Sequence, residues 1–168
     1  MLAIDVHESQ IDALATRLGR QLALSGGMIA TVESCTGGLV ARALTETPGS
    51  SQWFDRGFVT YSNEAKIDMV GVSAQTLAAF GAVSEPTALE MAGGALARSR
   101  ARMSLSVTGV AGPGGGSADK PVGTVCFGWA VADGRTRTTT RRFDGDRAGV
   151  RWQAALFALQ GAWDMLSD

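Results

Sequence analysis

The chain has 168 residues, a formal net charge of −1 and 45% hydrophobic residues, which describes one globular domain, spanning 1–168, able to bury about two-thirds of its unfolded surface. The near-neutral charge balance lacks the electrostatic footprint of a nucleic-acid binder, and no apolar run reaches the roughly 18 residues of a membrane span. No basic stretch leading into an apolar one opens the chain, and the two cysteines, Cys35 and Cys126, make no disulfide framework, so the expected location is the cytosol.

In chain order, Ile11, Leu14, Ala15, Leu18 and Leu22 share one face of a helix over 8–24, ended by Ser25-Gly26-Gly27. An apolar strand over 28–33 leads into E-S-C-T-G-G (33–38) and a helix over 37–45. Ser34, Cys35 and Thr36 therefore stand where a strand gives way to a helix. Free N–H groups at such a junction attract anions or developing oxyanions, and Gly37 and Gly38 let a ligand approach the backbone. A hydroxyl cap followed by two glycines explains the same letters, so the stretch alone leaves both readings open. A second strand over 53–61 precedes a short helix over 64–70, with an N-cap at Ser62 or Asn63 and Gly71 as its stop. Ser73 and Ser84 cap two further helices. The second of these runs to about 100 with Leu89, Ala92 and Leu96 inward, its Gly93-Gly94 pair implying close approach of another backbone.

A third strand over 103–110 is apolar enough to be central. The loop Gly112-Pro113-Gly114-Gly115-Gly116-Ser117 follows, then a strand over 122–132. Asp133-Gly134 is a two-residue hairpin signal, pairing a fifth strand over 136–143 with the fourth. The last helix opens at Gly145-Asp146 and carries Trp152, Leu156, Leu159, Trp163 and Leu166 as a stripe suited to the core or to self-association. Strands alternating with helices, then a hairpin and a helix, predict an α/β fold, a three-layer α/β/α sandwich on a mixed, about five-stranded sheet.

The inventory of bases narrows the chemistry. The only histidine, His7, lies before the first expected helix and reads as a surface residue, which argues against Ser-His-Asp and Cys-His sites. Clusters with metal-ligand spacing are absent from the sequence. Of 15 basic residues only Lys66 and Lys120 are lysines, and a desolvated lysine, unlike an arginine, can become a base. Lys66 follows the second strand in Y-S-N-E-A-K (61–66); a solvent-facing lysine paired with Glu64 or Asp68 is the plainer alternative. Tyr61, the sole tyrosine, is a core residue or a proton relay. The glycine loop is neither a P-loop nor a dinucleotide fingerprint, since a strand follows it. Arg141, Arg142, Arg147 and Arg151 form a basic cluster suited equally to solvent and to phosphate.

Taken together, E-S-C-T-G-G (33–38), P-G-S-S (48–51), F-D-R-G-F-V-T-Y-S-N-E-A-K (54–66), G-A-V-S-E (81–85), T-G-V-A-G-P-G-G-G (108–116), K-P-V-G-T-V (120–125) and G-D-R (145–147) resemble the C-terminal domain family of competence/damage-inducible protein CinA, which includes stand-alone nicotinamide-nucleotide amidohydrolases. The resemblance implies hydrolysis of the amide of nicotinamide mononucleotide to nicotinate mononucleotide and ammonia, with no metal and no cofactor. It implies a Ser–Lys site with Ser34 as nucleophile, Lys66 as general base and Tyr61 assisting. Thr36 and Cys35 remain alternative nucleophiles, and amides near Thr36 to Gly38 form the expected oxyanion hole. Substrate contacts are expected from Cys35, Gly37, Gly38 and Asn63, and ribose and phosphate contacts from Thr108, Gly109, Gly112, Gly114, Gly115 and Arg147. Larger relatives carry a further N-terminal domain that this chain is expected to lack. The implied partner is a small-molecule substrate, with no nucleic acid or membrane, in a homo-oligomer. A nucleotide- or partner-binding module without turnover is the competing reading, and would tolerate Lys66→Arg.

Overall fold

Hydrophobic periodicity becomes a helix, α1, over Ala3–Leu24 in the computed structural model, which describes residues 3–167, with side chains from Glu8 onward. The helix begins five residues earlier than expected, so the backbone of His7 lies within it; the surface placement expected of the His7 side chain falls outside the described side chains. The remaining elements are β1 (Ile29–Glu33), α2 (Leu39–Thr45), a 3-10 turn (Ser50–Gln52), β2 (Phe54–Val59), α3 (Asn63–Val70), α4 (Ala74–Phe80), α5 (Glu85–Ala97), β3 (Met103–Gly109), β4 (Thr124–Val131), β5 (Thr136–Arg142) and α6 (Arg147–Ser167). The five strands form one mixed sheet in the order β2-β1-β3-β4-β5. β1 is parallel to β2 and to β3, while β3–β4 and β4–β5 are antiparallel.

Both faces of the sheet are covered, giving the expected three layers. Ile11, Leu18, Val40, Leu44 and Leu159 pack with Leu105, Phe127 and Trp129 on the face that carries α1, α2 and α6. Val32, Val70, Val72, Met91 and Ala95 form the smaller core beneath α3, α4 and α5. All of β1 is buried, as a strand covered on both faces must be. Trp152 and Trp163 pack half-buried against the chain's own core, with the Arg17 guanidinium over the Trp163 ring.

Three local expectations change. α5 stops at Ala97, and its inward face is Ala88, Met91, Ala92 and Ala95, with Leu89 exposed. Ser104 and Ser106 explain this, because their hydroxyls donate to the Ala92 and Ala88 carbonyls at 2.6 Å and draw the helix close to β3. Close backbone approach accounts for Gly94, where a Cβ would stand 1.8 Å from the Val70 carbonyl oxygen, but not for Gly93, where it would meet nothing. The β4–β5 turn is the three-residue kind: Val131 N–H donates to the Arg135 carbonyl, and Gly134 alone has positive φ, whereas a two-residue type I′ turn needs two such residues.

The topology opens one crevice. β1 sends the chain to α2 on one face, and its neighbour β2 sends it to α3 on the other. Ligands of open α/β sheets bind where adjacent strands part in this way, at their C-terminal ends.

Candidate active site

At that crevice the loop after β1 meets the helix after β2. Glu33 pairs in register with Val59 and with Val107, so Ser34, the next residue, emerges beside Thr60 and Tyr61. Thr60 N–H donates to the Glu33 carbonyl and Ser34 N–H to the Val107 carbonyl, tying the three parallel strands together immediately below the site. α3 starts under the Ser62 cap, whose hydroxyl accepts from Ala65 N–H. One turn on, Lys66 points inward and is only 1% exposed.

The Lys66 Nζ lies 3.1 Å from Ser34 Oγ and 2.9 Å from the Thr60 carbonyl. Among the described residues no carboxylate pairs with it, so the solvent-facing pairing with Glu64 or Asp68 is set aside. Burial pushes the amine below its ordinary value of 10.5, only partly opposed by the nearby Cys35. A neutral amine at this distance can accept the serine proton. The Cys35 thiol is buried and pushed up to about 12, first by desolvation and then by the Glu33 charge. It stays protonated at neutral pH and is a poor nucleophile. Thr36 is fully buried, with no partner for its hydroxyl.

Glu33 is the residue whose role was missed. It is 1% exposed, and its carboxylate accepts from the N–H groups of Gly38, Val40 and Ala41 at 2.8 to 3.1 Å. It thereby fills the N-terminus of α2 from the preceding strand. This corrects the expected oxyanion hole: α2 begins at Leu39, Gly38 N–H is spent on Glu33, and Gly37 N–H donates to the Ser34 carbonyl. Cys35 and Thr36 N–H groups donate to no backbone carbonyl among the described residues. Gly37 and Gly38 have φ of 59° and 101°, a left-handed pair that side chains would strain.

Ser34 and Lys66 open into a cavity of about 230 Å³ that is also lined by Cys35, Asn63, Thr108 and Gly109. Thr108 is fixed by a bond to the Ala82 carbonyl; Tyr61, Arg147, Ala82, Val83 and Ala111 complete the wall, the three apolar ones lying in segments 81–85 and 108–116 without having been singled out as site residues. Tyr61 is 60% exposed, with its phenol engaged by an arginine. It accepts from Arg147 Nη2 at 3.0 Å, and it is the Tyr61 carbonyl that faces Ser34 and Lys66, each at 3.5 Å. Arg147 also donates to the Gly112 carbonyl, and beyond it lies a groove of about 660 Å³ lined by Pro113, Val122, Asp146 and Arg151. Gly114 and Gly115 are exposed loop residues and line neither concavity. Lys120, the other lysine, donates to the Phe80 carbonyl at the end of α4 and takes no place in the cavity. Arg141 and Arg142 are exposed on β5. Among the described residues no group of three or more metal-ligating side chains occurs.

The sequence and fold have close counterparts. The family model of the CinA C-terminal domain matches residues 11–166. The chain is 54% identical to nicotinamide-nucleotide amidohydrolase PncC of Enterobacter agglomerans over 157 residues, 94% of this chain and 96% of that protein. It is 53% identical to the protein of the same name from Escherichia coli strain K12, covering 93% and 94% of the two chains. The crystal structure of competence/damage inducible protein CihA from Agrobacterium tumefaciens matches with a TM-score of 0.91 at 49% identity, over 95% of this chain and 96% of that one. The chain belongs to the CinA C-terminal domain family.

Proposed function

We propose that this chain is a nicotinamide-nucleotide amidohydrolase, converting nicotinamide mononucleotide to nicotinate mononucleotide and ammonia. The observation that carries the chemistry is the buried Lys66 amine 3.1 Å from the Ser34 hydroxyl. The near-full-length identity to amidohydrolases of that name supports the substrate.

In this reading the Ser34 hydroxyl attacks the amide carbon while its proton passes to neutral Lys66. The resulting ammonium hands that proton to the departing nitrogen, so ammonia leaves and an ester of Ser34 remains. Water then attacks the ester with Lys66 again taking a proton, and the carboxylate product departs from regenerated Ser34. The preference for Ser34 over Thr36 follows from its distance to Lys66 and from its place on the cavity wall. Asn63, Thr108 and Gly109 are the proposed walls for the nicotinamide ring. Arg147 is the proposed contact for the phosphate, reached from Gly112 and the wider groove, with Tyr61 at the mouth between.

The test is ammonia release from purified protein given nicotinamide mononucleotide. Ser34→Ala and Lys66→Arg are expected to lower the rate by roughly three orders of magnitude or more, as loss of a nucleophile or its base does, Ser34→Ala with its thermal transition retained. Ligand-induced stabilisation without ammonia, unchanged in Lys66→Arg, would instead mean a binding module.

A further inference from the structure

Three successive carbonyls in the connection from α4 to α5 are each held by side chains. Lys120 Nζ donates to that of Phe80 at 2.8 Å. The Thr87 and Ser84 hydroxyls donate to that of Gly81 at 2.8 and 2.9 Å, and the Thr108 hydroxyl donates to that of Ala82 at 2.8 Å. Ala82 and Val83, within this strap, line the cavity that holds Ser34 and Lys66. We infer that the strap, 80–84, is the wall that selects the acyl group, and that Thr87 and Thr108 are positioning residues that act through it. This rests on the amidohydrolase reading and deepens it.

Main-chain bonding does not hold the strap. Gly81 N–H donates to the Leu77 carbonyl and closes α4, and the Ser84 carbonyl accepts from Ala88 N–H as α5 opens. Between them Ala82 and Val83 enter no backbone–backbone hydrogen bond among the described residues. The strap's place therefore depends on the hydroxyls and the lysine. Thr87 and Thr108 are 0% and 1% exposed, so water has little access to either donor, and a carbonyl stripped of its donor there is relieved only by moving. Ala82 and Val83 offer the cavity small apolar side chains, Gly109 and Ala111 line it too, and Ser34, Lys66 and Asn63 supply polar atoms. Apolar walls of this kind select by shape, and suit a flat ring on an acyl carbon placed at Ser34. A shift of the strap changes how that ring fits and leaves a two-carbon acyl group untouched. Thr87 does not line the cavity, so its effect on selectivity has to pass through the strap.

The experiment measures acylation of Ser34 by the p-nitrophenyl esters of nicotinic and acetic acid, with intact mass to identify the acyl group and Ser34→Ala as background. Ser34 Oγ bonds to the ester carbon, its proton passes to Lys66 and p-nitrophenolate leaves. Both rates are read on one preparation, so their ratio does not depend on how much protein is folded. Thr87→Val and Thr108→Val keep the side-chain shape and remove the donor. Each is expected to lower the nicotinoyl rate by ~10-fold, the scale of a small misfit in an apolar pocket, with the acetyl rate within about twofold. Thr87→Ser and Thr108→Ser keep the donor and should keep the wild-type ratio. Ala82→Leu alters the wall without touching a tie and should lower the nicotinoyl rate at least as much. An unchanged ratio in Thr87→Val overturns the proposal, and so does an equal fall for both esters across the variants. The kcat/KM for ammonia release from nicotinamide mononucleotide should fall alongside in Thr87→Val, and an unchanged value overturns the proposal even where neither ester reacts. The expected ratios in a protein that releases no ammonia uphold the wall and refute the substrate alone. Ammonia release with unchanged ratios refutes the wall alone, and a wild type that is neither acylated nor active refutes both.

Discussion

A single amine sets the pH behaviour of the site. Desolvation holds Lys66 below its ordinary 10.5, so the rate is expected to climb with pH as the ammonium is lost, through one ionisation below that value. A profile of kcat/KM against pH checks this. Stability has the same sign: between the folded and unfolded pKa values only the unfolded chain holds the proton, so stability rises with pH across that window. As pH falls through the folded value the chain must bury an ammonium, and the gain is lost. Lys66→Met is expected to abolish activity and remove that slope from urea-denaturation stability measured across pH, and an unchanged slope would remove Lys66 from the account. Lys66 stood out as the proposed base because lysine is so scarce in this chain. Its burial was not legible, since the spacing of Glu64 and Asp68 suits a surface ion pair equally well. The Glu33 carboxylate was invisible for a different reason: a carboxylate at the end of a strand announces no partner until the backbone folds over it.

At the scale of elements, α5 and α3 decide whether Lys66 reaches Ser34. Gly94→Ala would force a methyl to 1.8 Å from the Val70 carbonyl oxygen, so α3 has to move and take Lys66 with it. We expect a loss of about 1–3 kcal/mol, the usual cost of overpacking, together with lower kcat. Gly93→Ala meets no atom within 4 Å and should gain up to about 1 kcal/mol with activity intact. Urea denaturation of the two variants checks both signs, and equal effects would mean that the close approach does not hold α3. The glycine pair signalled a close approach without saying which glycine makes it. The inward face of α5 was misread because its buried residues are mostly alanines. Small side chains carry little hydrophobic signal, yet they are what allows Ser104 and Ser106 to reach the helix carbonyls.

The whole molecule brings together what the chain separates. Arg147 stands between the Ser34 cavity and the wider groove, bonded to both Tyr61 and Gly112. Arg147→Ala is expected to raise KM for the mononucleotide by roughly 10–100-fold, the worth of a charge-assisted hydrogen bond, and to leave the riboside unaffected. Steady-state kinetics on the two substrates checks this, and an equal change in both would remove the phosphate from Arg147. Sequence alone determined the order of strands and helices, the caps at Ser73 and Ser84, the layered architecture and the few residues able to do acyl chemistry. These depend on patterns repeated within a few residues, which local sterics and hydrophobic burial read directly. Only the tertiary structure decided that Lys66 is dry and touches Ser34, that α2's amides are already taken, and that Arg151 holds a loop 115 positions away. Those facts arise where β1 and β2 send the chain to opposite faces of the sheet, and desolvation and hydrogen-bond direction exist only once that crevice has closed around them.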